Sequence, residues 1–325
     1  MNCSVIIRAF NEEKHISRLL TGITQQTLKD VEIILVDSGS TDHTVEIALR
    51  YPVKVVHIQP NEFTFGRSLN RGIAAAQSEY VVIASAHVYP VYPDWLETLI
   101  EPFSEQTCAL TYGKQRGCST TQFSEHQIFS TWFAEQSCRR QFHPFCNNAN
   151  AAIRRSLWQK HPYDETLPAL EDLAWAKWAL DQGLGIAYVS EAEIIHVHNE
   201  RPRGVYNRYR REGMAFKQIY PHEHFRLTDF IRLFTANMLS DMKSARKKRV
   251  LGVNWKSIVW FRLMQFWGTY RGFRQSGPLA IPLKQAFYYP AQPEMIQEKF
   301  PRSIEPIWYN EGSDVRDSIE QKQRE

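Results

Sequence analysis

The stretch Val31-Glu32-Ile33-Ile34-Leu35-Val36-Asp37-Ser38-Gly39-Ser40-Thr41-Asp42 constrains the fold more than any other part of the chain. Its first half is aliphatic and β-branched, the composition of a strand buried on both faces of a parallel sheet. It breaks off at Asp37 into a small, turn-forming Ser-Gly-Ser. In an open α/β sheet that boundary, the carboxyl end of a strand, is where ligands settle. Asp37 would present an acceptor-only carboxylate to a crevice, suited to a base imide or a ribose hydroxyl, while Gly39 lets backbone come close and Thr41-Asp42 opens a helix. A turn-forming Asp behind an ordinary strand is the plainer account of the same residues.

The neighbouring segments repeat the alternation of strand and helix. Residues 3–9 read as a first strand, followed by a helix from Asn11-Glu12-Glu13 with Ile16, Leu19, Leu20 and Ile23 on one face. A helix from Asp42, with Val45, Ala48 and Leu49 inward, leads to a third strand at 53–58. Phe63 to Ala76 carries another helix, and the strand at 80–84 ends in Ser85-Ala86-His87. This is the pattern of a parallel sheet, with Asp37 and His87 converging on one edge. Neither G-x-G-x-x-G after the first strand nor G-x-x-x-x-G-K-[ST] occurs, which argues against a dinucleotide fingerprint and a P-loop.

Three loops carry a family resemblance. Arg8-Ala9-Phe10-Asn11-Glu12, Val36-Asp37-Ser38-Gly39-Ser40-Thr41-Asp42 and Gly66-Arg67…Asn70-Arg71-Gly72 resemble, in order and spacing, the nucleotide loops of the family-2 glycosyltransferases of the GT-A fold. The resemblance covers residues 4–200. It implies an α/β fold of GT-A type, a Rossmann-like, mostly parallel sheet flanked by helices, with a helical appendage at the carboxyl end. It also implies donor binding by Arg8, Ala9, Asn11, Glu12, Asp37, Ser38, Arg67, Asn70, Ser85 and His87. Where the family usually has Asp-x-Asp, this chain has Ser85-Ala86-His87, as in bacterial rhamnosyltransferase-like members. A neutral imidazole can ligate a metal but brings no negative charge, so Mg2+ affinity should fall and Mn2+ gain ground. Alternatively, a protonated His87 contacts the donor's diphosphate directly.

The second half supplies the remaining candidates. Phe145-Cys146-Asn147-Asn148-Ala149-Asn150 combines small residues with amides, which donate and accept and so suit sugar hydroxyls. Leu173, Ala176 and Leu180 have helical spacing, which puts Glu171 and Asp172 in a first turn where the helix's positive end stabilises carboxylates. Simple helix-end complementarity explains such a pair by itself. Beside the three loops, the pair resembles the family's Glu-Asp motif, which makes Asp172 the catalytic base, with Glu171, Asn147 and Asn148 at the acceptor. Inversion at an anomeric carbon needs one carboxylate within reach of the attacking hydroxyl. Ile194-Ile195-His196-Val197-His198 alternates, so both histidines face one way, and His198 matches the place of a late-strand histidine that completes the metal or diphosphate site with His87.

Charge separates the chain into parts. Residues 1–200 hold 16 Lys and Arg against 23 Asp and Glu, whereas residues 201–249 hold 13 against 4. We therefore expect a catalytic, nucleotide-sugar-binding domain at 1–200 and a basic, aromatic-rich helical region at 201–293. A partly ordered, charged tail is expected at 294–325. Cations interleaved with Trp255, Trp260, Phe266 and Trp267 suit either an interfacial helix among anionic headgroups or a helical pair packed on the first domain. No nucleic-acid motif accompanies them. Five scattered cysteines without C-x-x-C favour reduced thiols in a cytoplasmic protein, and no secretory signal or apolar run of membrane-spanning length is read. The expectation is an inverting transferase of a sugar from a nucleoside diphosphate, dTDP-rhamnose or a UDP-sugar, to a lipid-linked or polysaccharide acceptor of a bacterial surface glycan. It would sit in the cytoplasm or at the inner face of the membrane. A non-catalytic sugar- or nucleotide-binding relative is the alternative; nucleotidyl transfer would need a basic, Gly-rich first loop.

Overall fold

The computed structural model describes residues 2–274 and 304–309. Four strands, β1 (Cys3–Ala9), β2 (Val31–Asp37), β3 (Val53–His57) and β4 (Tyr80–Ser85), form a wholly parallel half-sheet in the order β3-β2-β1-β4. β2 and β4 lie on opposite sides of β1, so the order reverses there and opens a crevice outside the strand ends. β1 pairs Ala9 with Asp37 on one side and Arg8 with Ser85 on the other. The loops expected to bind the donor therefore share an edge.

Alternation along the strands sorts the core into two layers. Val5, Ile7, Ile33 and Leu35 pack with Ile16, Leu19, Leu20 and Ile23 of α1 (Ile16–Thr24) and Ala48 of α2 (Thr44–Ala48). Ile6, Ile34 and Val36 pack on the other face with Leu69 and Ile73 of α3 (Phe65–Ala75). This explains the uninterrupted apolar run of β2: both of its faces are covered. Two local expectations are corrected. Helix α1 begins at Ile16, because Asn11 adopts a left-handed φ of 56° that interrupts helical geometry, and Leu49 is 62% exposed because α2 is only five residues long.

The second half of the sheet is mixed. β5 (Val88–Pro90), β6 (Cys108–Arg116), β7 (Cys138–Gln141), β8 (Asn150–Arg154) and β9 (Gly185–His196) complete nine strands in the order β3-β2-β1-β4-β8-β6-β9-β5, with β7 against β9. β6 and β9 are parallel, while β8 runs against both β4 and β6. Helices α4 (Trp95–Ile100), α5 (Phe123–Trp132), α6 (Arg155–Lys160) and α7 (Glu171–Asp181) cover the two faces. The expected strand at the histidines is the end of β9, which stops at His196 and leaves His198 just beyond it.

Three long helices follow: α8 (Pro202–Ile219), α9 (Leu227–Lys247) and α10 (Leu251–Phe273). Phe216, Phe225, Leu233, Phe266 and Phe273 close with Leu173 of α7 into one cluster, and Val205, Tyr209 and Phe261 with Ile128 of α5 into another. Gly268 and Gly272 let α10 approach α8 closely, since a Cβ at either would strike the carbonyl oxygens of Tyr206 and Arg210. The buried aromatics of this region thus pack mainly among the three helices, with Leu173 of α7 and Ile128 of α5 joining them. No described helix is long and apolar enough to cross a membrane. Residues 304–309 lie against β5, with the Ile307 N–H donating to Val91 O and the Tyr309 hydroxyl to Pro90 O. The tail expected over 294–325 otherwise lies outside the described residues, as does the end of the helical region from 275.

Candidate functional site

A cleft of about 740 Å³ opens outside the carboxyl ends of β1 and β4. Among its walls are Arg8, Glu12, Ser85 and His87 from the first half, Asn147, Asn148, Glu171 and Asp172 from the second, His196 and His198 from the end of β9, and Arg208, Arg211 and Glu212 from α8. Residues separated by more than 160 positions meet there: Arg8 Nη1 donates to Glu171 Oε1 at 3.3 Å.

The acid pair is held by backbone. Leu170, at a left-handed φ of 57°, turns the chain into α7 so that Glu171 and Asp172 begin the helix buried. Asp172 accepts from the Asn148 N–H at 3.0 Å and the Leu173 N–H at 2.8 Å. Burial raises its pKa to about 7, with the charge of Glu171 adding to the effect and the two N–H donors and Arg8 opposing it. Asn148 Nδ2 donates to Glu171 Oε1 at 3.3 Å, whereas the Asn147 amide oxygen accepts from its own loop at the Ala149 N–H.

Three imidazoles form the other end. His196 and His198 have ring centroids 3.9 Å apart, and His87 lies 5.1 Å and 5.9 Å from them. Each ring donates from Nδ1 to a fixed acceptor: His87 to Glu12 Oε1 at 2.7 Å, His196 to Gln115 Oε1 at 2.8 Å and His198 to Glu125 Oε1 at 2.7 Å. Burial, then the neighbouring histidines and Arg208, depresses the His196 pKa well below the usual imidazole range, so this ring stays neutral. Its Nε2 is buried and has no hydrogen-bond partner. Ring nitrogens of the three residues lie within 4.8 Å of one another. An orphaned buried lone pair beside two oriented imidazoles fits a cation, because an acceptor on Nδ1 fixes the tautomer that presents Nε2. Burial alone would raise the Glu125 carboxyl, but Arg208 and His198 overcome it and hold it well below the ordinary carboxylate range.

Other expected donor residues stand beside the cleft instead of lining it. The Asp37 carboxylate accepts from the Gly39 and Ser40 N–H groups and from His57, while the Ser38 N–H donates to Ala9 O. Asn11 knits the first loop to the second by accepting from Thr41 N–H at 2.8 Å. Arg67 is committed to Glu165 Oε2 and Glu62 O. Asn70 makes four hydrogen bonds, to Tyr163 N–H and carbonyl, Trp158 Nε1 and Glu165, which fills its amide and leaves none for a ligand. In the sequence Arg208 and Arg211 are two of the 13 cations counted over 201–249, and nothing local marks Gln115 or Glu125. For the two arginines and Glu212, the Arg-x-x-Arg-Glu spacing on one helical face is the available signal.

Residues 4–161 match the profile of "Glycosyl transferase family 2". Over 204 residues the chain is 28% identical to the O-antigen chain rhamnosyltransferase WbaN of Salmonella anatum, covering 57% of this chain and 62% of that protein. The O-antigen chain rhamnosyltransferase RfbN of Salmonella typhimurium is 24% identical over 221 residues, 64% of this chain and 70% of its own length. The match thus spans less than two thirds of the first of these relatives. The fold is similar to that of the mannosyltransferase PcManGT from Pyrobaculum calidifontis, solved with GDP-Man and Mn2+, at a TM-score of 0.56 and 17% identity over 84% of each chain. It is also similar to that of S. aureus TarS 1-349 in complex with UDP-GlcNAc, at a TM-score of 0.52 and 16% identity over 85% of this chain and 92% of that one. Identities this low speak to the fold alone, but fold, switch-point cleft and sequence profile agree over the first half of the chain: residues 4–161 form a glycosyl transferase family 2 domain.

Proposed function

We propose that this protein transfers a sugar from a nucleoside-diphosphate donor to a glycan acceptor with inversion, Asp172 acting as general base. The observation that carries the reading is one cleft in which a buried carboxylate shares space with clustered cations and imidazoles. Arg8, Arg208 and Arg211 supply positive charge for a departing diphosphate. Arg8 and Arg211 both stack on the Phe65 ring, 5.0 Å and 5.5 Å from its centroid, which restrains two guanidinium groups on one platform. Asp172 takes the proton of the attacking hydroxyl, and Glu171 with Asn147 and Asn148 orients the acceptor.

The first two loops form the donor's nucleoside side, with Ala9, Asn11, Glu12, Asp37, Ser38, Ser85 and His87 as its residues. Arg67 and Asn70 contribute by bracing α3 against residues 163–165. A divalent cation, Mn2+ or Mg2+, would be held by His87, His196 and His198, and when bound would supply charge against the diphosphate. Three imidazole nitrogens as ligands favour Mn2+ over Mg2+. The rhamnosyltransferase relatives support a deoxyhexose donor such as dTDP-rhamnose, with a UDP-sugar as the other candidate, and a lipid-linked surface glycan as acceptor.

The test is Asp172→Asn assayed with dTDP-rhamnose and UDP-sugars. Transfer should fall by about 10² to 10⁴, while nucleoside diphosphates should still raise the melting temperature as in wild type. Undiminished transfer in this variant would remove Asp172 from the chemistry, and no thermal response to any nucleoside diphosphate would defeat the donor assignment.

A further inference from the structure

The α9–α10 hairpin exposes apolar and cationic side chains together. Leu227, Ile231, Thr235, Leu239 and Lys243, spaced four apart, all lie exposed along α9. At its end Arg246, Lys247, Lys248 and Arg249 are exposed too. Past the turn, Val253 is 85% and Trp255 47% exposed, and the Lys256 ammonium sits 5.6 Å from the centre of a Trp255 ring. Residues 242–274 contain no Asp or Glu, and Asp241 is buried against Arg262. Deeper along α10 the aromatics turn inward, with Phe261, Phe266 and Phe273 buried. Packing therefore accounts for those rings and leaves the hairpin tip unaccounted for.

We propose that the tip of this hairpin, with the outward face of α9, docks on an anionic lipid bilayer and lies among its headgroups. A one-sign cationic surface calls for an anionic partner. A phosphate backbone would satisfy the cations but gives Ile231, Leu239 and Val253 nothing to do, whereas a headgroup layer takes both kinds of side chain. The aromatic beside a lysine at Trp255 and Lys256 suits the same boundary, apolar on one side and charged on the other. Because no described helix can cross a membrane, the docking is of a surface kind.

The experiment is flotation of the full chain with vesicles of phosphatidylcholine alone or mixed with phosphatidylglycerol. Each Lys near an anionic surface multiplies binding about fivefold, so Lys243→Ala/Lys247→Ala/Lys256→Ala should lower affinity for the mixed vesicles about a hundredfold. Trp255→Ser should weaken binding while leaving its salt dependence. Melting temperatures report whether each variant is folded. Independently of any variant, wild-type protein should float with the mixed vesicles and be released by added NaCl. Absence of wild-type flotation, insensitivity to salt or undiminished binding by the folded triple variant would overturn the proposal. Preference for a single-stranded RNA oligonucleotide that displaces the vesicles would overturn it in favour of nucleic acid.

Discussion

As the proposed general base, Asp172 would have to be free of a proton when the acceptor arrives and take one up during transfer. Burial and the adjoining Glu171 raise its pKa to about 7, so below that value a growing fraction is protonated and idle. We expect kcat/KM to fall with falling pH through the neutral range and to level off above it. Glu171→Gln removes a charge that disfavours ionisation of Asp172, so the midpoint of that acid limb should move to lower pH. A pH–rate profile whose midpoint does not move would detach the limb from this pair. The acids and the histidines are legible in the sequence because each sits at a local landmark, a helix start or a strand end. Their partners are not. Gln115 and His196 are 81 positions apart and Glu125 and His198 are 73 apart, and nothing local links them.

Helix α8 shows the same limit for a whole element. Its charge is visible in the sequence, but which cations enter the cleft depends on how α8 seats against α10, and that contact is made by glycines and backbone. Edge strand β7, Cys138-Arg139-Arg140-Gln141, leaves no apolar signal in the sequence because its exposed cations are the composition by which sheet edges avoid pairing with other chains. The first four strands were readable because residues buried on both faces leave an apolar run that no loop imitates. One tie between α9 and α10 is also a tie to the site: Arg262 donates to both Asp241 oxygens, at 2.7 Å and 3.0 Å, and to Gln265, and reaches the Ser124 carbonyl beside Glu125. Removing one partner strands a buried charge. Asp241→Ala should cost about 3–5 kcal/mol, measured by denaturant unfolding, and the paired change Asp241→Leu/Arg262→Met should recover much of that loss. Equal destabilisation by both would show that the ion pair is not what matters there.

Across the whole molecule, the cleft is a meeting of three bodies: the parallel half-sheet, the mixed half-sheet and the carboxyl-terminal helices. A cation bridging His87 with His196 and His198 would join the first two, since His87 follows β4 while His196 ends β9 and His198 lies just past it. Chelation by EDTA should therefore suppress transfer and lower the melting temperature, and Mn2+ should restore both more fully than Mg2+. Activity and melting that ignore chelation would leave the three rings to contact the diphosphate themselves. Charge counts divide the chain near residue 200, and the structure shows what that division hides: α8 lies on the basic side of the count and on the inner wall of the site.

Residues 304–309 carry a practical consequence. The Tyr309 ring stacks edge-on against Tyr89, 5.3 Å between centroids, and its hydroxyl is tied to Pro90, so β5 relies for its cover on amino acids that come 219 positions later. A shortened version stopped after α10 would bare Tyr89 and Pro90 and trade a sealed seam for a sticky one. Any trimmed form used for crystallisation or tagging should keep Ile307 and Tyr309 in place.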